Sequence, residues 1–174
     1  MPRLQIEQIP EFLARYNADH DHEDDDLVAR RPRIQRQERM TRADLCAVCD
    51  WKAPRAAGHA RKNTGCEVEE ITGLAFHARS ERVCVEVLQT LHGVSYPTAS
   101  VILHFYHRDT YPILDFRALW SMRITQPSDY TFPFWWSYVR ACRSFFARAQ
   151  RHHPGLSMRK LDRALWQYSY ERQT

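Results

Sequence analysis

The stretch Leu91-His92-Gly93-Val94-Ser95-Tyr96-Pro97-Thr98 constrains the fold most, because it closes one helix and opens the next at once. Upstream, Cys84, Val87, Leu88 and Leu91 share one face at helical spacing, and Ser80 is placed to cap that helix. Gly93 supplies the backbone freedom that a helix end needs. Pro97 suits the first position of the following helix, where its missing N–H costs nothing, and Val101, Ile102 and Phe105 turn inward. A tight turn beside a helix N-terminus points backbone N–H groups outward. That arrangement holds a phosphate without a side-chain charge.

Only five glycines occur in 174 residues, so few sharp turns are available. This favours helices over many short strands. Residues 4–17 predict a short helix starting near Pro10. Residues 29–42, rich in arginine, read as a basic connector, partly helical. Thr41 is an N-cap candidate with Asp44 in the capping position; the helix would run through Leu45, Val48 and Cys49 to about Lys52, before Pro54. Helical spacing returns from Val68 to about Arg79, after Asp115, over 134–149 and over about 157–170. The expected class is all-α: a two-lobed helical domain with a hairpin between two of its helices. Residues 1–40 would form an N-terminal helix and an acidic-to-basic connector, and residues 41–174 the main domain.

Charge is unevenly spread. Residues 27–62 carry net +7 and residues 140–174 net +6, against −6 over residues 1–26 and −3 over residues 63–139. Two basic segments fit a phosphate-binding face, although a solvated surface gives the same counts. No apolar run approaches the ~20 residues that span a bilayer, and the first residues hold no apolar signal core. The expectation is a cytoplasmic protein with no membrane partner. Five cysteines form no regular framework, which fits free thiols in a reducing compartment. Cys46 and Cys49, with His59 and Cys66 nearby, could hold zinc; they also fall on the core face of a predicted helix, and no metal is expected there. The acidic run Asp19–Asp26 could gather a divalent cation or stay solvated.

Residues 91–99 read LHGVSYPTA, and Tyr111-Pro112-Ile113-Leu114-Asp115 follows, with Asp115 18 residues after Pro97. In both motifs and in their interval the chain resembles the helix-hairpin-helix DNA glycosylase superfamily, most of all its endonuclease III and adenine-mismatch branch. There the hairpin reads roughly L-P-G-V-G-x-x-T-A, and an aspartate opens a later helix. The close resemblance covers Leu91 to about Leu119. It implies duplex-DNA contacts at Gly93, Val94, Ser95, Tyr96 and Thr98, a base extruded into a cleft between the lobes, and Asp115 as catalytic carboxylate. A carboxylate near the anomeric carbon stabilises the oxocarbenium-like state as an N-glycosidic bond breaks, and can orient water. Asp115 would equally serve as a helix cap.

Three departures qualify what the resemblance implies. Pro97 stands where bifunctional relatives carry a nucleophilic lysine, so the implied reaction is monofunctional hydrolysis. Ser95 replaces the second hairpin glycine, which weakens close backbone approach but adds a hydroxyl donor. Only Cys142 lies beyond Cys84, so the four-cysteine iron–sulfur site of some relatives is not encoded. Lys52 and Arg55 fall where relatives place duplex-probing glutamines, and are candidates for phosphate contact or for filling the gap left by a flipped base. Trp51 and Tyr111 are pocket candidates, with core packing as the alternative. Some relatives bind a monovalent cation through hairpin carbonyls, which Leu91 and Val94 would supply here. The alternatives to a base-excision enzyme are a catalytically inactive DNA-binding module of the same fold and a helical protein-interaction domain docking through 134–149.

Overall fold

The computed structural model describes residues 1–20, 22–55 and 57–173. Asp21, within the acidic run, lies outside the described residues. Every regular element among those described is helical, as the all-α expectation requires. A short 3-10 turn, Ile6–Gln8, leads into α1 (Ile9–Asp19). There follow α2 (Asp25–Gln37), α3 (Arg42–Lys52), α4 (Ala57–Ala60), α5 (Gly65–His77) and α6 (Glu81–Leu88). Then come α7 (Tyr96–Tyr106), α8 (Phe116–Ser121), α9 (Phe132–His152) and α10 (Met158–Arg172). The helices form two compact units. A terminal unit joins residues 1–22 to residues 111–174, and a central unit comprises residues 23–110.

In the terminal unit, α1 and α8 both pack on α10. Trp135, Tyr138, Val139, Cys142 and Phe145 recur at helical spacing along α9 and are all buried. That apolar face is therefore used inside the protein and is not free to dock a partner. The Ser121 hydroxyl donates to the Leu165 carbonyl (2.6 Å), tying α8 to α10. The Tyr138 hydroxyl donates to the Ile113 carbonyl (2.7 Å), fixing the segment that leads to Asp115. Burial raises the Tyr138 phenol well above its ordinary range, so it remains a donor.

In the central unit, α2 packs on α3 and α7, α3 also meets α4 and α5, and α6 packs on α5 and α7. The expected basic connector is instead a full helix, α2, from Asp25 to Gln37. Leu27 and Ile34, two turns apart, bury one stripe, at 2% and 0% exposure. Pro32 removes one helical hydrogen bond, yet it sits on the exposed side and leaves that stripe intact. The arginines find partners: Arg30 bridges Asp26 (3.0 Å) and Asp44 (3.0 Å).

Asp44 is the buried electrostatic centre of this unit, at 0% exposure. It closes the expected capping box: the Thr41 N–H donates to Asp44 Oδ2 (2.8 Å) and the Asp44 N–H to Thr41 Oγ1 (3.4 Å). Arg30 and Arg33 donate to Asp44 Oδ1 at 3.0 and 2.5 Å. Burial alone would raise the Asp44 carboxyl; hydrogen bonds from Arg33, Thr41 and Arg30 outweigh it and hold the group below the usual carboxylate range. A depressed carboxyl stabilises the fold above its unfolded value and loses that contribution as pH falls through its folded value. Asp44→Ala is expected to remove about 2 kcal/mol of stability at neutral pH, from the lost capping-box bonds and the lost pairing with Arg30 and Arg33, which keep Asp26 and Gln37 as partners. In urea titrations over pH, the gap between wild type and Asp44→Ala should narrow below about pH 4.

Candidate phosphate-binding turn and capping carboxylate

The turn at 89–95 joins α6 to α7 within the central unit. Gly93 adopts φ 84°, a left-handed conformation that side chains disfavour. A Cβ at this position would lie 2.9 Å from the Ala60 backbone nitrogen, so glycine is required by space as well as by torsion. Asn63, 4% exposed, fixes the turn from outside. Its Oδ1 accepts the His92 N–H (2.8 Å), and its Nδ2 donates to the carbonyls of His92 (3.0 Å) and Ala60 (2.9 Å). A single side-chain amide thus satisfies both backbone groups of His92. The Cys49 thiol points its sulfur at the Gly93 carbonyl (3.9 Å). Burial first, then the neighbouring Cys46 and Asp50, push that thiol up to about 12, so it stays protonated as a donor.

Asn63→Ala would leave His92 without partners for its N–H and carbonyl. The expected cost is about 2 kcal/mol, read as a lower urea midpoint with an unchanged slope.

Ser95 is exposed and is the N-cap of α7, its carbonyl accepting the Ala99 N–H (2.8 Å). Pro97 falls one place later than expected, as the second helical residue after Tyr96. Of the residues expected to meet DNA, Val94, Tyr96 and Thr98 are 8%, 8% and 2% exposed. Contact at Tyr96 and Thr98 would therefore come through the backbone, whereas the Val94 N–H already has a carbonyl partner within the turn. The Tyr96 hydroxyl donates to Glu86 (3.1 Å), and burial raises its phenol. The Leu91 carbonyl, one of two expected cation ligands, accepts the Val94 N–H (3.2 Å). Trp51 is half-buried at the end of α3, edge-on to Phe105 (5.9 Å, 84°), while Lys52 is half-buried and Arg55 exposed. Cys46 is half-buried and Cys66 exposed, and all five cysteines are free thiols. Among the described residues no three or more histidines, cysteines and carboxylates gather as metal ligands.

In the terminal unit, Asp115 is the N-cap of α8 and is half-buried. Its Oδ1 accepts the Arg117 N–H (2.9 Å), and its carbonyl accepts the Leu119 N–H (2.9 Å). The first of these bonds sets the direction of the carboxylate. Tyr111, expected as a pocket candidate, is 2% exposed. It stacks on Trp135 (5.8 Å, 21°) beneath the Arg143 guanidinium (4.6 Å) and fills the interior. Burial, and after it the charge of Asp115, raise the Tyr130 phenol.

Asn63 and Tyr130 were not singled out from sequence. Asn63 precedes a capping box, Thr64 with Glu67, and looks like an ordinary loop residue; its partner His92 is 29 residues away. Tyr130 lies in an irregular segment with no periodic signal. No known protein family, curated protein or solved structure matches this chain. No helix among the described residues is long and apolar enough to cross a membrane.

Proposed function

We propose that the protein is a DNA-binding protein of the base-excision glycosylase type, with Asp115 as the catalytic carboxylate. The observation that carries this reading is the Gly93 turn. Its positive φ, its close approach to Ala60 and the two-sided grip of Asn63 hold a rigid turn directly before α7. A turn of that kind at a helix N-terminus suits a phosphate. It coincides with the stretch that resembles the helix-hairpin-helix glycosylases.

In this reading a duplex strand is held at the turn by backbone N–H groups and the Ser95 hydroxyl, with Lys52 and Arg55 adding charge. The Asp115 carboxylate, aimed by the Arg117 N–H, offsets the positive charge that builds on the sugar. The bond from C1′ to the base breaks, a water oxygen joins C1′, and the water proton leaves with the base. Pro97 has no amine, so the reaction stops at an abasic site without strand scission.

The test is release of free base from duplexes carrying uracil, alkylated, oxidised or mismatched bases. The expected product is a strand that breaks only after alkali. Salt-sensitive duplex binding without release on any duplex favours the inactive DNA-binding module instead. One observation favours that second reading: the Arg117 N–H bond already gives Asp115 a role as a helix cap.

A further inference from the structure

The terminal unit carries a second face, made by α8, α10 and the N-terminal segment. Phe116 and Tyr170 are large aromatic side chains at 48% and 53% exposure. Both converge on one cation: the Arg117 guanidinium lies 5.0 Å from the Phe116 ring and 5.1 Å from the Tyr170 ring. It also lies 5.1 Å from the Trp166 ring. Trp166 and Tyr170, one turn apart on α10, stack at 5.0 Å and 13°. Beside them Phe116 walls an open groove of about 320 Å³, also lined by Arg3 and Arg123, with no carboxylate among its lining residues. Arg3 is held in place by its bond to the Trp120 carbonyl (3.0 Å) and by the Trp120 ring (4.4 Å). The acids of α10 are engaged elsewhere, Glu171 by Arg15 (2.6 Å) and Asp162 by Arg159 (2.6 Å).

A single exposed aromatic residue needs no explanation. Two of them, ordered by one guanidinium beside a cationic groove, form a surface of flat π faces and positive charge. That combination fits a ligand that alternates planar rings with anions. We propose that this face binds single-stranded nucleic acid, with an unpaired base stacked on Phe116 or Tyr170 and adjoining phosphates at Arg3 and Arg123. Stacking of this kind tolerates any base, while the phosphates set the salt dependence. The inference rests on the terminal unit alone and stands whether or not Asp115 is catalytic.

The experiment is fluorescence anisotropy of the full chain with labelled oligo(dT) and with an abasic oligonucleotide of equal length, over a range of salt. Oligo(dT) is expected to bind roughly tenfold more tightly than the abasic strand. The double variant Phe116→Ala/Tyr170→Ala should erase that preference and leave abasic binding unchanged. Arg3→Ala/Arg123→Ala should weaken both strands and reduce the salt slope by about 1.4. The contacts assigned to the Gly93 turn, its backbone N–H groups, the Ser95 hydroxyl and the charges of Lys52 and Arg55, include no ring for a base to stack on, so a stacking preference for bases over abasic sites reads this face and not the turn. Equal binding of the two strands overturns the proposal, as does a preference that survives the aromatic double variant. Absence of oligo(dT) binding at low salt also overturns it, and leaves the patch to a protein surface. The comparison of the two strands uses the unaltered protein, so it holds even where a variant fails to fold.

Discussion

Asp115→Asn is expected to abolish base release while the fold and duplex affinity persist. Asparagine caps helices as well as aspartate does, and its side-chain oxygen can accept the Arg117 N–H as the carboxylate does at 2.9 Å. The change therefore removes the charge and keeps the cap. Loss of one preorganised electrostatic group at a reacting centre lowers the rate by about 10²–10³, which single-turnover release would read directly. Asp115→Ala separates the two roles of the residue, since it should lose the cap as well, at about 1 kcal/mol of stability. Were Asp115 a cap only, Asp115→Asn would be silent in both assays.

Gly93→Ala should be among the most destabilising substitutions in the central unit. The new Cβ would meet the Ala60 backbone nitrogen at 2.9 Å, and Ala60 is fully buried, so neither side yields cheaply. Left-handed strain and overpacking together give an expected loss of about 2–5 kcal/mol. Gly58→Ala is the matched control, because a Cβ there meets nothing within 4 Å. Urea denaturation should show a large drop in midpoint for the first and a small change for the second. The effect should also be non-additive with Asn63→Ala, since both act on the same turn. If the turn holds a phosphate, any folded Gly93→Ala protein binds duplex more weakly than Gly58→Ala does.

Helix ends were readable in the sequence because their chemistry is local. Thr41 with Asp44 and Asp115 bond to helix N–H groups within three residues, while Ser80 and Pro97 stand at the expected helix starts, Ser80 without a side-chain cap bond and Pro97 one place late. What escaped depends on distant partners. The arginines of residues 29–42 suggest a connector, but Leu27 and Ile34 bury a stripe and Asp44 collects Arg30 and Arg33, so a helix forms through Pro32. Asn63 acquires its meaning only when residue 92 returns to it. The two compact units are also not contiguous in sequence: α1 packs on α10, at the far end of the chain. The candidate site was readable as a motif but not as a surface. α7 has no polar stripe to show which side faces out, and Tyr96 and Thr98 both prove buried.

The most direct measurement places wild type and Asp115→Asn on the same panel of modified duplexes, scoring bound DNA and free base together. Binding by both proteins, with base release by wild type alone, is the expected result. Base release undiminished in Asp115→Asn, or none by wild type on any duplex, would contradict the assignment of a glycosylase carboxylate to Asp115.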